Sequence, residues 1–184
     1  LIKEKDELKD LCDLSVRALE EIIDYQEYPV EAAKKSTLAR RSLGIGYIGL
    51  AHFLAKNKVK YDDKEAWKLV DEITEAFQYY LLKASNTLAK ERGACEYFDK
   101  TKYSDGILPI DSYKKDVDDL VNRKLSYNWN SLRKDIKESG LRHSTLSAQM
   151  PSESSSVVSN ATNGVEPPRD FLSIKTSKKG TLKQ

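Results

Sequence analysis

The chain is poor in the residues that build the simplest functional sites. Cysteine occurs twice in 184 residues, at Cys12 and Cys95, far apart and without Cys-x-x-Cys spacing. That excludes a disulfide framework and a zinc knuckle, and a reducing cytoplasm is the expected setting. Histidine also occurs twice. His52 has no second ligand four residues on, and His143 stands beside Arg142, so no metal site is expected and polar contacts are the default for both. Excess charge of one sign is missing too: 31 Lys and Arg face 29 Asp and Glu, a net +2, which gives no electrostatic reason to expect nucleic acid or a membrane surface as partner. The longest apolar stretch, Ile45 to Leu54, is broken by His52 and glycine and falls well short of the ~20 residues of a membrane span. A soluble chain is expected. Leu1 stands where an initiator Met would, and no basic segment leads an apolar one into a cleavage site; the expectation is an excised segment or a part of something longer.

What the chain has in abundance is charge and helical periodicity. Charged residues make up 33% and hydrophobic ones 39%, the balance of long amphipathic helices with solvated outer faces. Leu8, Leu11, Cys12, Ser15, Val16, Leu19, Ile22 and Ile23 follow the i, i+3, i+4, i+7 spacing of one helical face and predict a helix over 5–25. Pro29 punctuates it, and a second helix is expected from about Glu31 to Asn57. Asp62 with Glu65 three residues on reads as the capped start of a third, whose stripe runs Ala66, Leu69, Val70, Ile73, Phe77, Tyr80, Leu81, Ala84, Leu88 and which Gly93 ends in left-handed geometry. Shorter helices are expected around Ser112 to Val121 and Asn130 to Ser139, with Gly140 closing the latter. Residues 1–140 are therefore mainly helical.

Residues 141–184 read differently. Ser144 to Met150 alternates small polar and apolar groups as a short buried strand and stops at Pro151. Phe171, Leu172 and Ile174, then Ser177-Lys178-Lys179-Gly180 and Thr181-Leu182, read as two strands joined by a tight hairpin. The fold class is a helix-rich α/β arrangement. Residues 1–184 are expected to form a single segment.

Three motifs bear on chemistry. Gly44-Ile45-Gly46-Tyr47-Ile48-Gly49 matches a dinucleotide fingerprint letter for letter, but no apolar strand leads into it and the ribose-binding acid that should end a second strand is missing. Close packing of another element on the glycines is the reading adopted. Arg40-Arg41 and Lys178-Lys179 read as solvated charge pairs, and Cys12 and Cys95 as buried structural thiols with no base to activate them. Met150-Pro151-Ser152-Glu153-Ser154-Ser155-Ser156 is different: a strand stop, a Ser able to cap a helix, and a first turn offering N–H groups and hydroxyls to an anion. An ordinary Ser-capped helix remains the competing reading of the same residues.

The run from Ser144 through Pro151-Ser152-Glu153-Ser154-Ser155-Ser156, continuing as Ser159-Asn160-Ala161-Thr162-Asn163-Gly164-Val165-Glu166-Pro167-Pro168-Arg169, closely resembles the large catalytic subunit family of aerobic class I ribonucleotide reductases, most of all its enterobacterial and T4-like phage branch. The blocks Asp24-Tyr25-Gln26-Glu27-Tyr28-Pro29, Arg40-Arg41-Ser42-Leu43-Gly44-Ile45-Gly46, Tyr79-Tyr80-Leu81-Leu82-Lys83-Ala84-Ser85-Asn86 and Gly106-Ile107-Leu108-Pro109-Ile110-Asp111 extend the likeness over essentially the whole chain. The resemblance implies part of a ten-stranded α/β barrel, from its second half. It implies reduction of ribonucleoside diphosphates to deoxyribonucleoside diphosphates by radical chemistry, with Ser152, Glu153, Ser154 and Ser155 holding the substrate diphosphate.

The family's radical cysteine lies in an Asn-x-Cys-x-Glu loop, and this pattern is absent, as are its reducing cysteine pair, its radical-transfer tyrosine pair and its Cys-bearing tail. Family order places the first two before Leu1 and the others after Gln184. No catalytic residue, metal site or cofactor is therefore expected in this chain; the resemblance puts the radical metal cofactor in a small subunit. Implied partners are a ribonucleoside diphosphate, the remainder of the large subunit, the radical-generating small subunit and a thioredoxin- or glutaredoxin-type reductant. The alternative is a non-catalytic helical binding or interaction module derived from that subunit.

Overall fold

The fold is that of a computed structural model which describes residues 5–168, 170, 172, 174–177 and 180–183. In chain order its helices are α1 (Lys5–Tyr25), α2 (Glu31–Arg40), α3 (Leu50–Lys56), α4 (Lys64–Arg92), α5 (Pro109–Ser112), α6 (Asp116–Val121), α7 (Trp129–Ser139) and α8 (Glu153–Ser159), followed by strands β1 (Ile174–Ser177) and β2 (Gly180–Lys183). The chain forms two compact units, Leu1–Ile45 with Lys68–Ala148, and Gly46–Trp67 with Gln149–Gln184.

The first unit is built on helix packing. Its core includes Val16 of α1, Leu81, Leu82 and Leu88 of α4, Ile136 of α7 and Leu141, all fully enclosed. On α1 the buried line is Leu8, Cys12, Val16 and Ile23, whereas Leu11 and Ile22, which share the expected stripe, are half exposed. On α4 the expected stripe is buried at Leu81, Ala84 and Leu88 and half-buried at Leu69, Val70, Ile73, Phe77 and Tyr80. The helix starts one residue later than expected. The Asp63 carbonyl, not that of Asp62, accepts the first helical N–H, from Trp67 at 3.2 Å, while the Asp63 carboxylate takes the Lys60 amide at 2.7 Å.

The expected helix over 31–57 is two helices separated by extended chain. Arg41 turns left-handed at φ 48 and its amide bonds back to the Thr37 carbonyl, which ends α2. Leu43 and Ile45 then donate to the carbonyls of Thr145 and Leu146, and Ala148 donates to Ile45, all at 2.9–3.0 Å. This makes a parallel bridge between Ile45 and Ser147. Leu43, Tyr47, Leu50 and Leu54 fit a helical phase, but Leu43, Ile45 and Tyr47 also fit strand alternation, and glycine at 44 and 46 lowers helix stability by roughly 1 kcal/mol each, so extended pairing wins. The helix expected over 112–121 is shortened to α6, because Ser112 ends α5 and Tyr113 is extended. The α7 start is capped by the Asn128 side chain, which accepts the Ser131 amide at 3.0 Å.

In the second unit β1 and β2 pair antiparallel with Ser177 opposite Gly180, the register of the expected tight hairpin. Its turn residues Lys178 and Lys179, like Arg169 and Phe171, lie outside the described residues. The expected strand over 144–150 is reduced to the single bridge at Ser147. Among the described residues the only sheet is the two-stranded hairpin and no barrel closes.

Two helix stops differ in what a side chain would meet. At Gly93 (φ +85) an added Cβ has nothing within 4 Å, whereas at Gly140 (φ +74) it would stand 2.6 Å from the Ala94 Cβ. Gly140 also combines its φ with a ψ of −169, a region open essentially to glycine alone. Gly93→Ala should therefore cost about 1 kcal/mol for left-handed backbone. Gly140→Ala should cost about 3 kcal/mol or more, strain and overlap together. Denaturant unfolding of the two variants checks this; equal destabilisation would contradict it.

Candidate functional site

The four residues singled out by sequence, Ser152, Glu153, Ser154 and Ser155, lie together at the start of α8 in the second unit. Pro151 has no N–H to extend a ladder, and the next residue, Ser152, takes the N-cap position with φ −110 and ψ 83. Its carbonyl accepts the Ser156 amide at 3.1 Å and its own amide donates to the Asn163 carbonyl at 2.7 Å. The Ser152 hydroxyl forms no cap hydrogen bond, which corrects the expectation of a side-chain cap: the backbone alone sets the helix start. Glu153, Ser154 and Ser155 then occupy the first three helical positions, where amides have no intrahelical acceptor and carry partial positive charge. Their side chains are exposed and Ser152 is half-buried. The hydroxyls that do bond inward are those of Ser156, to the Glu153 carbonyl at 3.0 Å, and Ser159, to the Ser155 carbonyl at 2.6 Å.

The flanks of this turn are tethered within the same unit. The Tyr47 amide donates to the Gln149 side-chain oxygen at 3.3 Å, and the Gln149 amide group donates back to the Tyr47 carbonyl. The Gly49 amide donates to the Thr162 carbonyl at 2.9 Å, and a Cβ at Gly49 would rest 3.5 Å from that of Ala161. The last amide of the glycine-rich segment is thus used on protein. The helix expected to run through it is replaced by non-helical chain leading to α3.

A second cluster, in the first unit, was only partly visible in sequence. Glu20 is fully buried. Its carboxylate accepts from Arg41 Nε at 2.8 Å and Arg142 Nε at 2.6 Å and lies 3.0 Å from His143 Nε2. Arg41 also reaches Asp24 at 2.8 Å. His143 Nδ1 lies 2.9 Å from the Ser85 hydroxyl. The line Ser85–His143–Glu20 has the connectivity of a nucleophile triad, but all three side chains have zero exposure, so no substrate reaches the hydroxyl and the role is structural. Arg41 is 5% exposed, which corrects its reading as one of a solvated pair; Arg40 is exposed as expected. The missed signal is spacing: Leu8, Cys12, Val16 and Glu20 recur every four residues, so the carboxylate lies in the buried phase.

Burial opposes ionisation of Glu20, yet hydrogen bonds from His143, Arg41 and Arg142 outweigh it and hold the carboxyl at about 2. Burial pushes the Cys12 thiol up to about 12 and raises that of Cys95, consistent with inert structural thiols. His52 is exposed. Among the described residues no group of three or more His, Cys, Asp or Glu is placed to hold a metal ion, and no helix is long and apolar enough to cross a membrane.

Comparison with known proteins adds a family. The model of the ribonucleotide reductase barrel domain matches residues 3–184. The chain is 61% identical over 184 residues to the ribonucleoside-diphosphate reductase subunit alpha of Buchnera aphidicola from Schizaphis graminum, covering all of this chain and 24% of that protein. It is 64% identical over 170 residues to that of Haemophilus influenzae, covering 92% and 22%. To that of Enterobacteria phage T4 it is 48% identical over 182 residues, covering 99% and 24%. The chain thus spans about a quarter of the length of the relatives it matches.

The Glu20 cluster generates a prediction. Removing one partner of a buried ionic set costs about 3–5 kcal/mol, so Glu20→Gln, which leaves Arg142 without its anion and Arg41 with Asp24 alone, should destabilise by that amount at neutral pH. Because the folded carboxyl sits at about 2 against an ordinary 4.5, its contribution is complete above 4.5 and is lost as pH falls toward 2. Unfolding measured across pH 2–7 should show wild type and variant converging at the acid end. A constant gap would contradict the assignment.

Proposed function

Because the chain belongs to the ribonucleotide reductase barrel-domain family, we propose that it works as one segment of a class I ribonucleoside-diphosphate reductase large subunit and that its Ser152–Ser155 turn holds the diphosphate of a ribonucleoside diphosphate. The observation that supports this reading best is the start of α8. Three first-turn amides stand beside the exposed hydroxyls of Ser154 and Ser155, a combination suited to an oxygen-rich anion. Ser154 stands where Thr is common in the family, which keeps the hydroxyl and loses a methyl. The Glu153 carboxylate is the wrong sign for phosphate, so its backbone N–H is the contact and its carboxylate turns away from the ligand or caps nearby donors.

In this reading the complete subunit, in the cytoplasm, reduces ribonucleoside diphosphates to deoxyribonucleoside diphosphates by radical chemistry. This chain supplies substrate binding and no reacting group. The remaining segments of the large subunit supply the cysteines, a small subunit carries the radical metal cofactor, and a thioredoxin- or glutaredoxin-type protein returns the electrons.

In the complete subunit, Ser154→Ala with Ser155→Ala should raise the apparent substrate KM by at least tenfold, since a hydrogen bond to a charged group is worth roughly 1.5–3 kcal/mol. Effector binding elsewhere should be unchanged. Steady-state kinetics checks it; normal KM and kcat at normal stability would reject the assignment. The chain by itself, given small subunit, reductant and nucleoside diphosphate, should show no turnover. Its two thiols are buried and neither lies in an Asn-x-Cys-x-Glu loop. Activity that survives stringent purification would contradict this.

A further inference from the structure

The first unit contains a cleft of about 430 Å³, a volume in the range of small-molecule sites. Three cations line it, Arg40, Lys100 and Lys102, together with hydroxyls that include those of Ser42 and Ser144, and no carboxylate is among its walls. The charge is uncompensated in a chain that otherwise pairs its guanidinium groups. Arg17, Arg41, Arg92, Arg123, Arg133 and Arg142 each hold a carboxylate, and Arg40 is the described arginine that holds none. Arg40 instead lies 5.3 Å from the centre of the Tyr97 ring, and Lys100 lies 3.6 Å from it. Both cations thus rest on one ring, and neither holds a carboxylate among the described residues, so their charge is left for an anion.

The walls are fixed before any ligand arrives. The Tyr97 amide donates to the Ala39 carbonyl at 3.0 Å and the Ser144 amide to the Arg40 carbonyl at 2.9 Å. The Ser42 and Ser144 hydroxyls lie 2.9 Å apart, and Leu108, 1% exposed, closes the cleft on an apolar side. A preformed recess with three positive charges, a forked guanidinium donor and paired hydroxyls has the chemistry of a phosphate-bearing ligand.

We propose that this cleft is an anion site, separate from the Ser152–Ser155 turn, for a small phosphate-bearing molecule of pyrophosphate to nucleotide size. The test is equilibrium dialysis of labelled pyrophosphate against the complete subunit. Both arms carry Ser154→Ala and Ser155→Ala, so the result does not depend on whether that turn binds substrate. One arm also carries Arg40→Ala, Lys100→Ala and Lys102→Ala, all at exposed positions. The first arm should bind pyrophosphate and the second at least tenfold more weakly. Lys102→Gln alone, as a milder variant, should weaken it severalfold. Equal binding in the two arms would overturn the proposal. So would no binding in the first arm, the outcome expected if an acidic stretch of protein fills the cleft.

Discussion

One buried carboxylate governs the first unit. Glu20 has no access to water, and an ion in that position is tolerable only when it is fully paired. Its three partners, Arg41, Arg142 and His143, come from the two places where the chain is about to run extended, just before Leu43–Ile45 and just before Thr145–Ala148. The residue on α1 therefore determines where both extended stretches begin. Their parallel pairing, Ile45 with Ser147, follows from two guanidinium groups sharing one acceptor. Arg41 takes a left-handed backbone at φ 48, an uncommon state for a side chain of that size, and the paired guanidinium is what offsets that strain.

Structure and chemistry are kept apart in this chain. The groups with the ingredients of catalysis, namely Glu20, His143, Ser85 and the two thiols, are all buried and engaged in packing or pairing. The groups at the start of α8 are exposed amides and hydroxyls, which can hold an anion but cannot carry a proton or an electron through a reaction. A segment that binds substrate for reacting groups located elsewhere in a subunit is the role this division supports.

Much of this was legible in the sequence because the relevant signals are local. Gly93 and Gly140 marked the ends of α4 and α7, the pairing of Ser177 with Gly180 is that of the expected tight hairpin, and Pro151 with the hydroxyls that follow it marked the turn that starts α8. What was not legible depends on partners distant in sequence. Leu43 and Tyr47 fit a helical phase that continues through Leu50 and Leu54, while Leu43, Ile45 and Tyr47 fit a strand alternation, and only pairing with 145–148, a hundred residues on, decides between them. Arg41 and Arg40 are neighbours of identical type, yet one is buried and the other exposed, because only Arg41 faces Glu20. The Ser152 hydroxyl, expected to cap α8, is dispensable once its backbone amide and carbonyl are both engaged.

The central claim, that this chain's contribution is to hold a substrate diphosphate at the start of α8, is tested most directly by a crystal structure of the complete subunit with a ribonucleoside diphosphate bound. The account predicts phosphate density within hydrogen-bonding distance of the Glu153, Ser154 and Ser155 amides and of the Ser154 and Ser155 hydroxyls. A fully occupied nucleotide whose phosphates are held by other residues, with the α8 turn facing solvent, would contradict it.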